Sequence, residues 1–431
     1  MSKKFRVLAL LSILPVTLTA CTIRDIPFLG RFFPEEAPPV VEISVWGLWE
    51  RKDIMQISVN KFQEVTPNII ANYDDRSALD LVEYKERVFE RAKDPTGPDV
   101  ILVHNTWVPR MIASGLLDQV PASTMDSSTY ASTFYPVAAQ TGMSNGVPYA
   151  MPAYYDGLVL VYNKAHFAEI EQASPPTAWE EFRRLALQLS VRDAQGNLVR
   201  GGAGIGAANN VDHATDILGL MWSQAGVDIP EEIDSKAAQD ALTFYTNFVV
   251  EDEIWSEAMP ESTKAFVDDR VSMIFVPSWQ ILSILENIDD VSKVGVAPVP
   301  QAVPSRPATW ASYWVYVVPK DRDASKKTAA WTFVKYMTGE EASRALFNEN
   351  TKIRQFGTPF ALVSLGSELA ADPYLSPVVN GAPTAKSGEI ASKSGNRRQE
   401  EALKNAITRV LNGDDAGIAV ILNEAKIEVA K

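Results

Sequence analysis

The sequence predicts an α/β protein folded as two domains joined by chain crossings, and three observations carry that reading. At 431 residues the chain exceeds what one hydrophobic core ordinarily organises, so two domains of about 150–200 residues each are expected. Its first part alternates short strand patterns with amphipathic helix patterns, the signature of an α/β sheet. Residues 147–167 then run from a small-residue and proline segment (Pro148, Ala150, Pro152, Ala153) through Tyr154, Tyr155 and Asp156 into the apolar run Leu158, Val159, Leu160, Val161, ending in Tyr162-Asn163-Lys164. Pro152 cannot donate to a central ladder, and the apolar run is too short for a free helix but suits a buried strand. The stretch therefore reads as a crossover between two bodies, with polar and aromatic side chains at the crossing point.

The leader stands outside the fold. Lys3, Lys4 and Arg6 precede a mostly apolar run over residues 7–18, too short to span a bilayer and laid out as an export signal over residues 1–20. It ends in Leu18-Thr19-Ala20-Cys21, and Cys21 is the only cysteine, so no internal disulfide exists. The leader holds those three cations and no acid, so its removal lowers the net charge from −14 to −17. Such an acidic body argues against a nucleic-acid partner, which needs clustered Lys and Arg; the pair Arg397-Arg398 is followed closely by Glu400-Glu401. Residues 21–41 read as a tether, rich in Pro, Phe and Glu, whose apolar piece at 26–33 suits either a membrane surface or a partner.

The alternating stretch 41–46 is a first strand that stops at Gly47. Asp53 is placed to cap the next helix, where Met55, Val59 and Phe62 share a face, with Pro67 as its end. A strand over 69–73 follows, then a helix with Leu81, Tyr84, Val88 and Ala92 on one face, and a buried parallel strand over 99–103. In open sheets built this way ligands bind beyond the carboxyl ends of the strands. That rule points to Trp46, Trp49 and Glu50 after the first strand, and to Asn105, Thr106 and Trp107 after the third.

Beyond the crossover, Thr177 reads as the N-cap of a helix over 178–189, with Glu180 completing a capping box. The DAQGN turn at 193–197 resembles a calcium loop in part but lacks its closing glutamate. Residues 201–206 (GGAGIG) lack both the phosphate-loop and the dinucleotide spacing and suit a tight strand entry. Helices over 214–225 and 235–250 lead to a strand over 271–276 and to Trp279. Four prolines (Pro298, Pro300, Pro304, Pro307) make residues 294–307 a second crossover candidate. Trp310, Tyr313 and Trp314 come directly after it, at the start of a strand over 312–318. The final third reads as helical over 325–337, 340–347 and 400–411, with Gly413 as a stop.

Five segments in order resemble the extracellular solute-binding proteins of ABC importers, in the sugar-binding group that includes maltose-binding protein. They are PDVILVHNTWVPRMIASGLLDQV (98–120), the central stretch ending LVYNK (160–164), PPTAWEEF (175–182), AFVDDRVSMIFVPSW (265–279) and KKTAAWTFVKYMTGEE (326–341). LTAC at 18–21 resembles the lipobox of bacterial lipoproteins, in which the cysteine is lipidated and becomes the N-terminus; an ordinary signal peptide holding a cysteine is the alternative. The resemblance implies a two-lobed periplasmic-binding-protein-like fold of type II, with residues 42–152 and 311–358 in one lobe and 153–310 and 359–431 in the other. It implies a lipid-anchored protein on the extracytoplasmic face of the cell membrane that captures a carbohydrate and delivers it to ABC permease transmembrane subunits. A surface lipoprotein used for sensing or adhesion, or one that binds a non-sugar solute, is the alternative.

Carried over by position, the resemblance implies polar contacts from Asn105, Thr106 and Trp107, acceptance of sugar hydroxyls by Asp156, and stacking on a sugar ring by Trp279. Two departures stand out. Asp269 replaces the glycine usual before the strand, and the aromatic that maltose-binding protein supplies from its second lobe has no counterpart in residues 388–398, which argues against a maltodextrin.

Sugars offer apolar C–H faces and many hydroxyls, so their sites combine flat aromatics with Asp, Asn and Arg. The tryptophans at 46, 49, 107, 279, 310 and 314 fall at strand ends or crossings and, with Tyr155 and Tyr313, are the expected cleft aromatics; core packing is the competing role for each. Trp179, Trp222, Trp255 and Trp331 sit in or beside helices and are expected in the core. Adjacent tyrosines such as Tyr154-Tyr155 ligate iron in some binding proteins, but His104, His166 and His213 are scattered in sequence, so neither a metal nor another cofactor is expected. The Ser58/Lys61 SxxK match stands without its companion motifs, and no HExxH occurs, so no enzyme is expected.

Overall fold

The computed structural model describes residues 38–431, and residues 41–431 form one compact unit. The export signal, Cys21 and the apolar segment 26–33 lie outside the described residues.

The chain opens with the strand–helix alternation that its periodicity predicts. Val41–Gly47 and Ile69–Asp75 pair in parallel, and Val100–His104 joins the other side of the first strand, also in parallel. Between them Lys52–Val65 buries Met55, Val59 and Phe62, and Leu81–Ala92 buries Tyr84, Val88 and Ala92, each set on one helical face. Val100–His104 is buried at every position, which accounts for its apolar run. Trp314–Val317 and Ala150–Pro152 then add antiparallel strands, giving a five-stranded sheet ordered Ile69–Asp75, Val41–Gly47, Val100–His104, Trp314–Val317, Ala150–Pro152. Helices Ala324–Met337 and Glu340–Asn350 pack back on this lobe.

A second, three-stranded sheet places Leu158–Asn163 between Met273–Pro277 and Val294–Ala297, antiparallel to both. Helix Trp179–Leu189 lies against it through Trp179, Phe182, Leu185, Ala186 and Leu189, with Trp179 and Phe182 both touching Phe275. Helices Ala214–Ala225 and Lys236–Val250 pack together, and the C-terminal pair Arg397–Leu411 and Ile418–Val429 covers the latter. Trp179, Trp222, Trp255 and Trp331 are all buried in the core.

The chain leaves the large sheet after Pro152 and enters the small one at Leu158; it returns between Ala297 and Trp314. These two passes touch. Gly157 bridges Ala311 antiparallel, and the Ser312 N–H donates to the Asp156 carbonyl at 3.1 Å. A Cβ at Gly157 would sit 2.8 Å from the Tyr155 hydroxyl and 3.2 Å from the Trp310 carbonyl, so the close approach of the strands requires glycine. A third pass lies alongside, where the Tyr155 N–H donates to the Pro359 carbonyl at 3.0 Å.

Several local expectations are corrected. Asp53 does not cap its helix; it sits in the first turn and pairs with exposed Arg51. Thr177 does not cap Trp179–Leu189 either: Ala178 holds that position, and Glu181 reaches back to the Thr177 N–H at 3.0 Å. The glycines at 201–206 enter no strand; Gly201 makes an isolated bridge to Val271, and Gly204 donates to the Met273 carbonyl. The proline segment is not the crossing itself. Its first residues form Val294–Ala297, and the rest is held in the small-sheet lobe by buried Gln224, which donates to the carbonyls of Pro300 (2.9 Å) and Ala308 (3.1 Å). Much of residues 351–396 is irregular or in short turns, so the final third is less helical than expected.

Two stability predictions follow from this packing. Trp310 is buried against the middle of Ala214–Ala225, where a Cβ on Gly219 would lie 2.8 Å from its ring. Gly219→Val is expected to lower the unfolding free energy by roughly 1–3 kcal/mol in urea melts, and an unchanged midpoint would refute the contact. His104 ends a strand, buried between the hydroxyls of Thr106 (2.8 Å) and Ser312 (2.9 Å). Burial first, with Lys85 adding to it, pushes its ring down to about 3. Its folded value lies below the unfolded one, so its contribution to stability is present above about pH 6.5 and is lost as pH falls toward 3. The stability advantage of wild type over His104→Gln should therefore shrink by about 2 kcal/mol between pH 7 and pH 5, and parallel pH profiles would refute it.

Candidate functional site

A cavity of about 450 Å³ opens between the two lobes, a volume suited to a small organic ligand. From the large-sheet lobe come Trp49 and Glu50, just past the end of Val41–Gly47, with His104 at the end of its strand and Trp314 at the start of the antiparallel one. Facing them are Pro277, Ser278 and Trp279, at the end of Met273–Pro277, and Tyr154 and Asp156 from the first crossing. Arg354, Phe356 and Thr358 come from the third pass, and Ser392 and Lys393 from the irregular segment before Arg397–Leu411.

The indoles are held in distinct ways. Trp49 is 51% exposed and sits at φ 70, left-handed backbone that costs a bulky residue about 1–3 kcal/mol. Its N–H is fixed by the Ser77 hydroxyl at 2.8 Å. Trp279 is 47% exposed, edge-on to His213 at 6.0 Å, with the Lys393 ammonium 5.8 Å from its ring centre. Trp314 shows only a small part of its surface and stands perpendicular to Trp107 and His104.

Asp156 lines the cavity, yet its carboxylate is engaged from within. Oδ1 accepts from the N–H groups of Gly157 (2.7 Å) and Ser278 (2.9 Å); Oδ2 accepts from the Ser278 hydroxyl (2.9 Å) and the Trp279 N–H (3.3 Å). It thus caps helix Ser278–Asn287 from a distant segment, where Pro277 offers no side-chain acceptor. Burial pushes this carboxyl up to about 6, against the downward pull of those donors. Asp216 is engaged in the same way: Oδ1 accepts from the Trp310 indole (2.7 Å) and the Ser392 N–H (3.0 Å), and Oδ2 lies 2.8 Å from His213. Glu50 differs. Burial raises its carboxyl, Arg354 lowers it from 3.9 Å, and Asn350 donates to Oε2 at 3.2 Å.

Of the residues singled out from sequence, Trp49, Glu50, Asp156, Trp279 and Trp314 line the cavity. The others do not, and each has another task. Trp46 lies within its strand with the Arg76 guanidinium 4.2 Å above its ring. Tyr155 packs between Tyr135 and Tyr313, while the Tyr313 hydroxyl bonds to Thr141 and to the Val137 carbonyl. Trp310 is buried on Gly219.

Asn105, Thr106 and Trp107 hold the segment 387–396 in place. Asn105 donates to the Ser387 hydroxyl (2.8 Å), the Trp107 indole to the Ser394 carbonyl (2.7 Å), and Asn396 to the Thr106 hydroxyl (2.9 Å). Arg110 adds a bond to Glu389 at 2.7 Å. The same segment is tied to the opposite lobe through Ser392 and Thr215, and through Lys393 and Asp212. These three residues therefore stand one step behind the cavity, supporting Ser392 and Lys393, which face it.

Sequence reasoning did not single out His104, His213, Asp216, Arg354, Ser392 or Lys393 as cavity-lining residues. His213 and Asp216 open a helix that reads as core, and Arg354 and Lys393 sit in stretches with no periodicity to place them. Asp269 occupies left-handed backbone at φ 56, the position expected of glycine, and is held by Asn163 and Lys293. Among the described residues, no cluster of His, Cys, Asp and Glu is placed to hold a metal ion, and no helix is long and apolar enough to cross a membrane.

Several solved structures share this fold. The sugar-binding protein MalE of Xanthomonas citri superposes with a TM-score of 0.74 at 17% identity, over 90% of this chain and 98% of that one. An ABC transporter solute-binding protein of Thermotoga lettingae bound with α-D-tagatose gives 0.68 at 20% identity, over 90% and 98%. UgpB of Mycobacterium tuberculosis in complex with glycerophosphocholine gives 0.69 at 17%, over 91% and 98%. The sequence model of the bacterial extracellular solute-binding proteins matches residues 82–377, more than half of the chain. With the two lobes and the cavity between them, that match makes this chain a member of the bacterial extracellular solute-binding protein family.

Proposed function

We propose that the protein is the lipid-anchored binding component of an ABC importer, capturing a carbohydrate between its lobes and delivering it to the permease. The observation that carries this reading is the make-up of the cavity, which the indoles of Trp49, Trp279 and Trp314 line together with Glu50, Arg354, Ser312 and Thr358. Flat rings accept the C–H faces of a sugar, and the polar groups between them accept and donate to its hydroxyls. A relative in fold is bound with α-D-tagatose, which supports a small carbohydrate.

Binding without turnover suits the carboxylates. Asp156 already receives four internal hydrogen bonds and Asp216 three contacts, which leaves Glu50 as the one cavity carboxylate with a free oxygen where glycoside hydrolysis uses a pair. Contacts from both lobes favour the closed form, and only such a difference in affinity drives closure. The LTAC sequence before the tether supports anchoring through Cys21 on the extracytoplasmic face, since several acyl chains hold a protein far more durably than one.

Purified protein without its first 21 residues is expected to bind at least one mono- or oligosaccharide with a change in tryptophan fluorescence. Trp279→Ala should weaken that binding by about tenfold or more, near 1.4 kcal/mol. A sugar panel that gives neither heat nor fluorescence change, while glycerophosphocholine or a peptide does, would overturn the carbohydrate assignment. Cys21→Ser in the full chain should move the protein from the membrane pellet to the soluble extracytoplasmic fraction, and retention in the pellet would refute the anchor.

A further inference from the structure

Glu50 and Arg354 are the two charged cavity groups with polar atoms left over. Glu50 is 8% exposed; its Oε2 accepts from Asn350 at 3.2 Å, and among the described residues no hydrogen bond reaches Oε1. The Arg354 Nε donates to the Phe356 carbonyl at 3.0 Å, which fixes the guanidinium plane. Its two terminal nitrogens make no hydrogen bond among the described residues, and the nearer one stands 3.9 Å from Glu50 Oε1, too far for a direct bond. Every other charged group of the cavity is engaged at hydrogen-bond distance: Asp156 by the helix it caps, Asp216 by Trp310 and Ser392, and Lys393 by Asp212.

We propose that Glu50 and Arg354 form a paired hydroxyl reader that admits a neutral vicinal diol and rejects charged sugars; the inference rests on the carbohydrate reading of the cavity. A hydroxyl both donates and accepts, so of two adjacent hydroxyls one donates to Glu50 Oε1 while its neighbour accepts from the Arg354 tip. That exchange satisfies the buried carboxylate and the partly buried guanidinium without adding a third charge. A uronate or sugar phosphate satisfies Arg354 but sets a second negative charge beside Glu50. An amino sugar meets the opposite conflict at Arg354. Each charged ligand therefore leaves one of the two groups uncompensated, and discrimination arises from that repulsion as much as from attraction to the diol. Trp49 precedes Glu50 in the chain, so the fixed turn that sets its indole also sets this carboxylate.

The test measures binding by calorimetry and tryptophan fluorescence for wild type, Glu50→Gln and Arg354→Gln. The probes are glucose, galactose, maltose and trehalose, each neutral, with glucuronate, galacturonate, glucosamine and glucose 6-phosphate as charged counterparts. Wild type should bind a neutral sugar at least about tenfold more tightly than its charged counterparts. Glu50→Gln, which keeps the side-chain shape, should narrow the gap to the uronate or phosphate by about tenfold. Arg354→Gln should weaken the neutral sugar by a similar factor. A wild-type preference for a charged sugar, or neutral-sugar binding and selectivity that stay within about twofold in both variants, overturns the hydroxyl reader alone. No response to any of these sugars from folded wild type counts against the carbohydrate reading and overturns this inference with it.

Discussion

The structure depends on the place of Asp156, where three chain passes meet. Its carbonyl receives Ser312 from the returning pass, its neighbour Tyr155 donates to Pro359 on the third, and its carboxylate caps the helix that carries Trp279. Burying a carboxylate is costly unless its lone pairs are filled, and here four donors fill them. One side chain in the hinge thus fixes the start of the helix that presents an aromatic to the cavity. The backbone at the crossing and the helix that faces the cavity thus share this one residue.

A second layer of support lies behind the opposite wall. The segment 387–396 has little regular structure of its own, yet it is bonded to residues that follow the third strand of the large sheet and to the helix Ala214–Ala225. An irregular loop can present side chains reproducibly only when its backbone polar groups and flanking side chains are satisfied elsewhere. That is the task Asn105, Thr106 and Trp107 perform. They do not line the cavity, and they are the reason that Ser392 and Lys393 keep a fixed position.

The elements that carry a period were legible in the sequence, and the side-chain pairings were not. Val41–Gly47, Leu81–Ala92 and Ala214–Ala225 fall where alternation or helical spacing put them, because one face of each must meet a core. The strand-end rule also found the right neighbourhood: Trp49 and Glu50 face the cavity, and Trp107 comes within one residue layer of it. The rule cannot say which of Trp46, Trp49 and Trp107 turns toward solvent, since that depends on Arg76, Ser77 and Ser394, each distant in sequence from its partner or without a local pattern. Arg354 was invisible for a related reason. It lies in an aperiodic stretch, and its meaning comes only from a carboxylate some three hundred positions earlier.

The cavity combines rigid and strained parts in a way that bears on closure. Trp314 is wedged between Trp107 and His104 on a sheet strand, so it is a fixed platform. Trp49 is different: about half exposed, and held in left-handed backbone by a serine that is itself oriented by Asp75. A bulky residue keeps such a conformation only where its surroundings hold it there, and the cost is recovered if the exposed ring gains a partner when the lobes meet. In the proposed reading a sugar face supplies that partner, and the burial of two half-exposed indoles, Trp49 on one lobe and Trp279 on the other, becomes the part of the binding energy available only to the closed form. A ligand that stacks on one ring and leaves the other in water gains affinity without closing the protein, so the spacing of the two rings, more than either contact alone, sets which ligand is held between the lobes.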